Sequence, residues 1–111
     1  MALKHAEPGE VVHLLPKGNR LSTSKTSAIV KSDRFEAVRL VIPGGASIPS
    51  HDVDGFITLL CLEGHAVLQT DEEIGLRPGD WVYLGRGVTH SLRGIEDSAL
   101  LLTILFDHTR K

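Results

Sequence analysis

Short runs of apolar residues separated by turn-forming residues make up most of the chain. Between residues 34 and 42 apolar and polar positions alternate, and Val38, Leu40 and Ile42 form an apolar face with a period of two. This period is typical of a strand that buries one face. A proline and two glycines at 43–45 then end the strand.

Six more apolar runs follow, and we predict a strand in each of them: 57–62, 65–70, 74–76, 81–84, 89–93 and 99–106. The turn at 77–80 is typical of those between them, because Pro78 sets the first turn dihedral and Gly79 accommodates a positive φ. Helical patterns are nearly absent. Many short strands bury their apolar faces in two facing antiparallel sheets or in a closed barrel, so we predict an all-β fold.

The first 33 residues have a weaker pattern. Residues 11–15 are apolar, 16–20 form a turn, and 22–27 are rich in serine and threonine. The last of these segments suits a solvated loop or an edge strand, and we favour strands in this region. Terminal segments also pack against second subunits. We therefore interpret 1–33 as N-terminal strands or a dimer arm beside a barrel at 34–107.

The size and charge of the chain narrow its class. Residues 1–111 fit one domain, since domains typically hold about 100 to 150 residues. A formal net charge of −2 argues against nucleic acid as a partner. No apolar run approaches the roughly 20 residues that a membrane-spanning helix needs. The single cysteine, Cys61, has no partner within the chain, so we expect a cytoplasmic protein that does not contact membranes.

Two histidines, His51 and His90, are the most informative candidates for chemistry. His51 follows the segment 48–50, His90 follows a glycine-containing turn at 85–87, and we expect each to lie at the entrance to a strand. Side chains in such positions can converge. Imidazole is the usual neutral ligand for zinc, iron, nickel or copper. Spacing alone would be weak evidence for a site.

Around these histidines the chain resembles the two sequence motifs of the cupin superfamily. The matching glycines and histidines are, in chain order, Gly45, His51, Gly64, Gly79, Gly87 and His90. The resemblance covers roughly residues 38–106 and implies a small antiparallel jelly-roll barrel, also called a double-stranded β-helix. Cupins serve as isomerases, dioxygenases, storage proteins and sugar-binding sensors, so the resemblance implies a fold more than an activity.

The chain also departs from these motifs. By resemblance, Val53 stands where a second histidine belongs and Ile57 where a glutamate belongs, while Gly85 and Gly94 replace a proline and an asparagine. Neither valine nor isoleucine has a lone pair to donate. A conventional centre of three histidines and one carboxylate therefore cannot form within this chain.

A metal remains one of two open interpretations. His51 and His90 are candidate ligands for a divalent transition metal such as zinc, iron, nickel or manganese, completed by water or by Asp54. Strand alternation turns Asp54 outward unless Gly55 supports a bulge that re-aims it. In the other interpretation, which we favour, no cofactor is bound and both histidines line an apolar pocket, because catalytic metals usually keep three protein ligands.

Under this resemblance the expected ligand pocket comprises His51, Val53, Phe56, Ile57, Leu59, His90 and Leu92. Such a pocket suits a small organic molecule with one polar end. Our first hypothesis is a small-molecule-binding homodimer with little or no catalysis. The alternative is a metal-dependent enzyme of the oxygenase or isomerase type that uses His51 and His90, and whether the chain is an enzyme stays open. A structural or regulatory dimer module is a third class.

Two further features concern packing. Trp81 and Tyr83 alternate with Val82 and Leu84, so we expect the two rings to face outward as candidate interface anchors. Cys61 lies in an apolar strand without a flanking base, and we interpret it as a buried thiol rather than a nucleophile.

Overall fold

The computed structural model of the protein describes residues 5–15, 25–51 and 54–107, with residue 51 described by its backbone alone. These residues form nine β-strands: β1 (Ser27–Lys31), β2 (Phe35–Ile42), β3 (Ser47–His51), β4 (Gly55–Glu63), β5 (Ala66–Gln69), β6 (Glu73–Leu76), β7 (Trp81–Leu84), β8 (His90–Gly94) and β9 (Ser98–Phe106). The described part of the chain has no helix, and hence none with the length and hydropathy that membrane crossing requires. The predicted all-β class is confirmed.

The strands form two antiparallel sheets that face each other. The five-stranded sheet has the order β1-β2-β9-β4-β7, and the four-stranded sheet has the order β3-β8-β5-β6. From β4 onward the chain crosses repeatedly between the two sheets. Neighbours in a sheet are therefore mostly distant in sequence, and each sheet depends on strands from both halves of the chain.

The core lies between the two sheets, where the inward positions of both are aliphatic. On β2 the predicted alternation is confirmed, since Val38, Leu40 and Ile42 are buried. Leu59 on β4, in the same sheet, and Leu68 on β5, in the opposite sheet, belong to the same core cluster and have no exposed surface. Burial of each such side chain contributes roughly 1.5 to 3 kcal/mol, so the burial of these aliphatic side chains is the main interaction that holds the two sheets together.

All seven strands expected between residues 34 and 106 are present, with ends that differ by at most two residues. The additional strand is β3. Pro49 interrupts its sequence pattern, but β3 is an edge strand, where a residue without an N–H group is tolerated. The expectation that His51 opens a strand is wrong, because His51 is the last residue of β3, whereas His90 does open β8.

The described N-terminal segment, 5–15, contains no strand, contrary to our preference for strands there. Two hydrogen bonds hold it against the five-stranded sheet. Ala6 N donates to the carbonyl oxygen of Ile29 at 2.8 Å, and Arg39 Nε donates to that of Leu14 at 2.7 Å. Among the described residues the first strand begins at Ser27, within the region where we expect N-terminal strands. The expected turn at 16–20 and most of the serine-rich stretch lie outside the described residues, and the dimer arm stays a prediction.

The turn between β4 and β5 depends on Gly64, whose φ is 86°. A Cβ atom at this position would overlap the carbonyl oxygen of Asp97 and would lie 2.6 Å from Ser98 Oγ. The Ser98 hydroxyl is buried, accepts a hydrogen bond from His65 N and donates one to the carbonyl oxygen of Glu96. The turn therefore packs directly against the start of β9, and only glycine fits there.

Replacement of Gly64 by alanine should destabilise the protein more than the same replacement at Gly79. Both glycines have a positive φ, but a Cβ atom at Gly79 would meet nothing within 4 Å. Left-handed strain should lower the free energy of unfolding of Gly79→Ala by about 1 to 2 kcal/mol. Gly64→Ala should lose about 1 to 3 kcal/mol more through overpacking. Urea unfolding followed by tryptophan fluorescence measures both, and equal losses would contradict the packing argument.

Candidate functional site

A cavity of about 100 Å³ lies between the two sheets, at the end of the barrel where β8 begins. Its described lining consists of Leu40, Ile48, Ile57, Leu59, His90, Leu92 and Leu102. All of these side chains except His90 are aliphatic. The cavity is therefore an apolar space with one hydrogen-bonding imidazole in its described wall.

The backbone around His90 holds its ring in place. The preceding turn contains Gly87, with a φ of 77°, and His90 is only 4% exposed at the start of β8. His90 Nδ1 donates a hydrogen bond to the carbonyl oxygen of Val88 at 3.0 Å. A carbonyl oxygen can only accept, so this bond assigns the proton of the neutral ring to Nδ1. Nε2 then carries the lone pair, and it is the nitrogen suited to accepting a hydrogen bond.

The backbone brings His51 and His90 side by side. In the ladder between β3 and β8, Ile48 pairs with Leu92, and after a register shift His51 pairs with His90. The two histidine positions, 39 residues apart in sequence, are thus direct cross-strand partners at one end of the four-stranded sheet.

Only some of the other expected pocket residues line the cavity. Ile57, Leu59 and Leu92 line the cavity together with His90. Phe56 precedes the buried Ile57 on β4 and is 42% exposed, because neighbouring residues of a strand project to opposite faces. Its ring therefore lies on the outer side of the five-stranded sheet, away from the cavity. Val53 lies outside the described residues.

Three further aliphatic residues of the cavity wall, Leu40, Ile48 and Leu102, carry no motif signal. The alternation of β2 and β9 indicates that Leu40 and Leu102 are candidates for burial. It does not indicate which level of a strand borders a cavity, because that depends on the opposite sheet. Ile48 belongs to β3, the edge strand whose pattern Pro49 interrupts.

No bulge at Gly55 turns Asp54 toward the cavity. Asp54 is exposed, and its carbonyl oxygen accepts a hydrogen bond from Asp107 N at 3.2 Å. Gly55 pairs in register with Phe106, and the register shift between β4 and β9 lies at the far end of β4. A Cβ atom at Gly55 would overlap the backbone of β9, so Gly55 serves close strand packing instead.

The described donor atoms do not fit a catalytic metal centre. Ile57, which the resemblance places at the carboxylate position, is 3% exposed and forms part of the aliphatic wall. Among the side chains that the structure describes, no three histidine, cysteine, aspartate or glutamate residues are grouped as a metal site requires. The described cavity supplies one imidazole, fewer than the three protein ligands that catalytic metals usually keep.

An ion pair ties the turn before His90 to the end of β9. Arg86 in that turn pairs with Asp107, whose side chain is 14% exposed, while that of Arg86 is 42% exposed. Partly exposed pairs of this kind contribute about 0 to 1 kcal/mol to stability. The pair therefore adds little to stability, and it connects the turn before His90 to the residue that follows β9.

Cys61 lies on β4, outside the cavity lining, and its predicted burial is confirmed. Burial raises the pKa of its thiol above the ordinary value, and the negative charge of Asp80 raises it further. A backbone hydrogen bond at Glu63 lowers the pKa by less. The thiol is therefore protonated at neutral pH and is a poor nucleophile.

Solved structures match this chain along most of its length. A cupin superfamily protein from Desulfitobacterium hafniense DCB-2 has a TM-score of 0.73 and 23% identity, over 88% of this chain and 100% of its own. A conserved protein of unknown function from Streptococcus pyogenes has a TM-score of 0.76 and 17% identity, over 98% and 97% of the two chains.

A third match is a cupin with a double-stranded β-helix fold from Methanocaldococcus jannaschii. Its TM-score is 0.71 and its identity 17%, over 87% of this chain and 93% of its own. The sequence matches no family model and no curated protein. The jelly-roll prediction and the cupin resemblance are thus confirmed at the level of the fold.

The raised pKa of Cys61 predicts slow alkylation of the native protein. Iodoacetamide reacts with the thiolate and must also reach a buried Sγ, so at about pH 8 the native thiol should react at least tenfold more slowly than the thiol in urea. Because the folded state holds this proton more tightly, the free energy of unfolding should also fall as pH rises above 9.0, the ordinary value. Mass spectrometry measures the first effect, and denaturation compared with Cys61→Ala measures the second. Equally fast labelling of native and unfolded protein would contradict the burial argument.

Proposed function

We propose that this chain is a small-molecule-binding cupin that holds its ligand in the cavity and catalyses little or no reaction. The observation that carries the proposal is the imidazole of His90, buried in a wall that is otherwise aliphatic among the described residues. A small apolar pocket with one directional polar group is the usual design of a binding site for an organic molecule with a single polar end.

The cavity indicates the size and chemistry of the ligand. Its volume of about 100 Å³ is below the roughly 150 Å³ of an apolar cavity that holds benzene. The body of the ligand should therefore be aliphatic and contain only a few non-hydrogen atoms. The imidazole of His90 is the polar group in the described wall, and an imidazole forms hydrogen bonds with hydroxyl and carboxyl groups, so the polar end should be one of these.

His51 is proposed as the second group that orients the polar end. Its support is the register, which pairs the backbone of His51 with that of His90. Cross-strand partners in an antiparallel pair are close enough to act on one ligand group. Two imidazoles, one on the edge strand β3 and one on its neighbour β8, would then bind a single hydroxyl from adjacent positions.

An aliphatic residue at a position for a metal ligand favours binding over catalysis. By resemblance, metal-dependent cupins have a carboxylate where this chain has Ile57, and Ile57 is part of the cavity wall. Substrate binding alone accelerates no reaction unless a group acts more strongly on the transition state than on the substrate.

A metal-dependent enzyme of the oxygenase or isomerase type is the second candidate. The observation that favours it is the same pairing of His51 with His90, since two adjacent imidazoles are a common start of a transition-metal site. It would need further ligands beyond the described donors, from water or from outside the described residues. We therefore rank it below the binding function.

A titration followed by nuclear magnetic resonance tests the binding proposal. Butan-1-ol and butanoic acid are suitable probes, with butane as a probe that lacks the polar end. The His90 ring signals should shift on binding of the alcohol. In His90→Leu the dissociation constant for butan-1-ol should rise about tenfold, the loss of roughly one hydrogen bond. In His65→Leu, a half-buried histidine outside the cavity lining, it should be unchanged.

Two outcomes would contradict this proposal. One is binding of none of the probes, and the other is equal affinity of wild type and His90→Leu for butan-1-ol. Leu92→Phe should fill the cavity and weaken all probes alike, which separates cavity binding from surface binding.

Elemental analysis of untagged protein purified without chelator separates the two candidates. The binding proposal expects less than one metal ion per chain, with no change in His51→Ala or His90→Ala. One transition-metal ion per chain that is lost in both variants would instead support the enzyme. The matched control is His65→Ala, which should not change the metal content because His65 lies outside the cavity lining.

A further inference from the structure

The turn that connects β7 to β8, residues 85–89, crosses from one sheet to the other beside the cavity. Strand β7 belongs to the five-stranded sheet and β8 to the four-stranded sheet. The turn follows Leu84, which is buried and pairs with Ile57 of the cavity wall. It ends at His90, which belongs to the same wall. The β7–β8 turn therefore spans the gap between the two sheets at the cavity.

Strand β7, which leads into this turn, has the expected alternation. Trp81 and Tyr83 are 59% and 60% exposed, so their outward orientation is confirmed, and their role as interface anchors stays a prediction. Leu84 faces the interior instead. The β7–β8 turn therefore starts from an inward position, on the side of the sheet where the cavity lies.

The described backbone holds the β7–β8 turn less firmly than the turn at 77–80. Within the β7–β8 turn, Val88 N donates a hydrogen bond to the carbonyl oxygen of Gly85 at 3.4 Å, which is long for such a bond. Within the turn at 77–80, Asp80 N donates to the carbonyl oxygen of Arg77 at 2.8 Å. The shorter bond is the stronger one, so the β7–β8 turn has the weaker backbone restraint.

The β7–β8 turn is also loosely packed. Residues 86–89 are exposed. A Cβ atom at Gly85 or at Gly87 would meet nothing within 4 Å, whereas one at Gly64 would overlap the carbonyl oxygen of Asp97. Segments with few packed neighbours and exposed backbone open at a lower free energy than the core. The β7–β8 turn therefore has the properties of a segment that opens while the barrel stays folded.

Two side-chain interactions hold this turn in place. Arg86 pairs with Asp107, which directly follows β9, and β4 lies between β9 and β7 in the sheet. The ion pair therefore reaches across the start of β4, at the end of the sheet where the cavity lies. In the second interaction, His90 Nδ1 donates a hydrogen bond to the carbonyl oxygen of Val88. A displacement of the turn would break both interactions and would release the imidazole ring.

We propose that the β7–β8 turn is the gate of the cavity and that the ion pair between Arg86 and Asp107 holds it closed. This inference deepens the binding function proposed above and rests on it. When the turn moves away, the gap between the sheets opens beside His90 and admits a ligand. When it returns, the carbonyl oxygen of Val88 orients the imidazole again. A partly exposed ion pair is weak, so the gate opens without unfolding the barrel.

Limited proteolysis measures gate opening in the ligand-free protein, because Arg86 is a trypsin site within the turn. In Asp107→Asn, cleavage after Arg86 should be about threefold faster than in the wild type, the factor expected for the loss of such a pair. The matched control is Glu73→Gln, which removes the exposed ion pair with Arg93 and should leave cleavage after Arg86 unchanged. Cleavage after Arg93, within β8, should be equally slow in the wild type and in Asp107→Asn, which shows that the barrel stays folded.

Modification by diethyl pyrocarbonate tests whether the opening leads into the cavity. The reagent modifies accessible imidazole rings, and His90 is only 4% exposed. In Asp107→Asn and in Arg86→Gln, peptide mass spectrometry should show His90 modified about threefold faster than in the wild type. Modification of His65, which is half-buried and outside the cavity lining, should not change. Arg86→Gln breaks the same pair from the other side and serves as the second variant if Asp107→Asn does not fold.

Two results would overturn the gate. One is unchanged cleavage after Arg86 in folded Asp107→Asn. The other is unchanged modification of His90 in a folded variant, since the turn would then move without opening the cavity. Both measurements are made without a ligand, so they are independent of the titration with butan-1-ol. Failure of the alcohol to bind would refute the binding function, whereas failure of these two measurements would refute the gate.

Discussion

Strand β9 pairs with β2 on one side and with β4 on the other, and this register decides what each side of the five-stranded sheet presents. Leu102 is opposite Val38 and Leu59, so all three contribute to the interior. Leu101 and Leu105 lie on the opposite side of the sheet, and Leu105 is exposed. Because the side-chain period of a strand is two, a slip of one residue would exchange these sets. The core and the cavity therefore both depend on the same ladder.

The cavity follows from this register combined with the opposite sheet. Leu59 and Leu102 approach it from the five-stranded sheet, and Leu92 and His90 from β8. In such surroundings an imidazole interacts more strongly with a polar ligand group than it would in water, because the local dielectric constant is low. The hydrogen bond from Nδ1 to Val88 fixes the ring orientation. Apolar contact would thus supply affinity, and the imidazole would supply orientation.

The two sides of β7 have different surroundings. On β7, Trp81 and Tyr83 face outward, whereas Leu84 is buried and pairs with Ile57 of the cavity wall. The cavity wall is therefore one side of a sheet whose other side carries exposed aromatic rings.

The pattern of the sequence was sufficient for the strands from β4 to β9, for the inward face of β2 and for the orientation of Trp81 and Tyr83. Alternation and turn chemistry are local properties, so they can be recognised along a chain without its partners. The motif resemblance also found His90. Alternation predicts that Phe56 and its neighbour Ile57 face opposite sides of β4, so it contradicted the placement of both in the pocket. Phe56 was placed there only because it lies beside the first motif.

Only the tertiary structure decided that β3 is a strand, that His51 ends it opposite His90, and that Leu40, Ile48 and Leu102 complete the cavity wall. These features depend on contacts between residues far apart in sequence. A period of two tells which side of a strand is buried, but the depth of a cavity and the partner of a histidine are set by how two sheets align. That alignment is a property of the packed core as a whole.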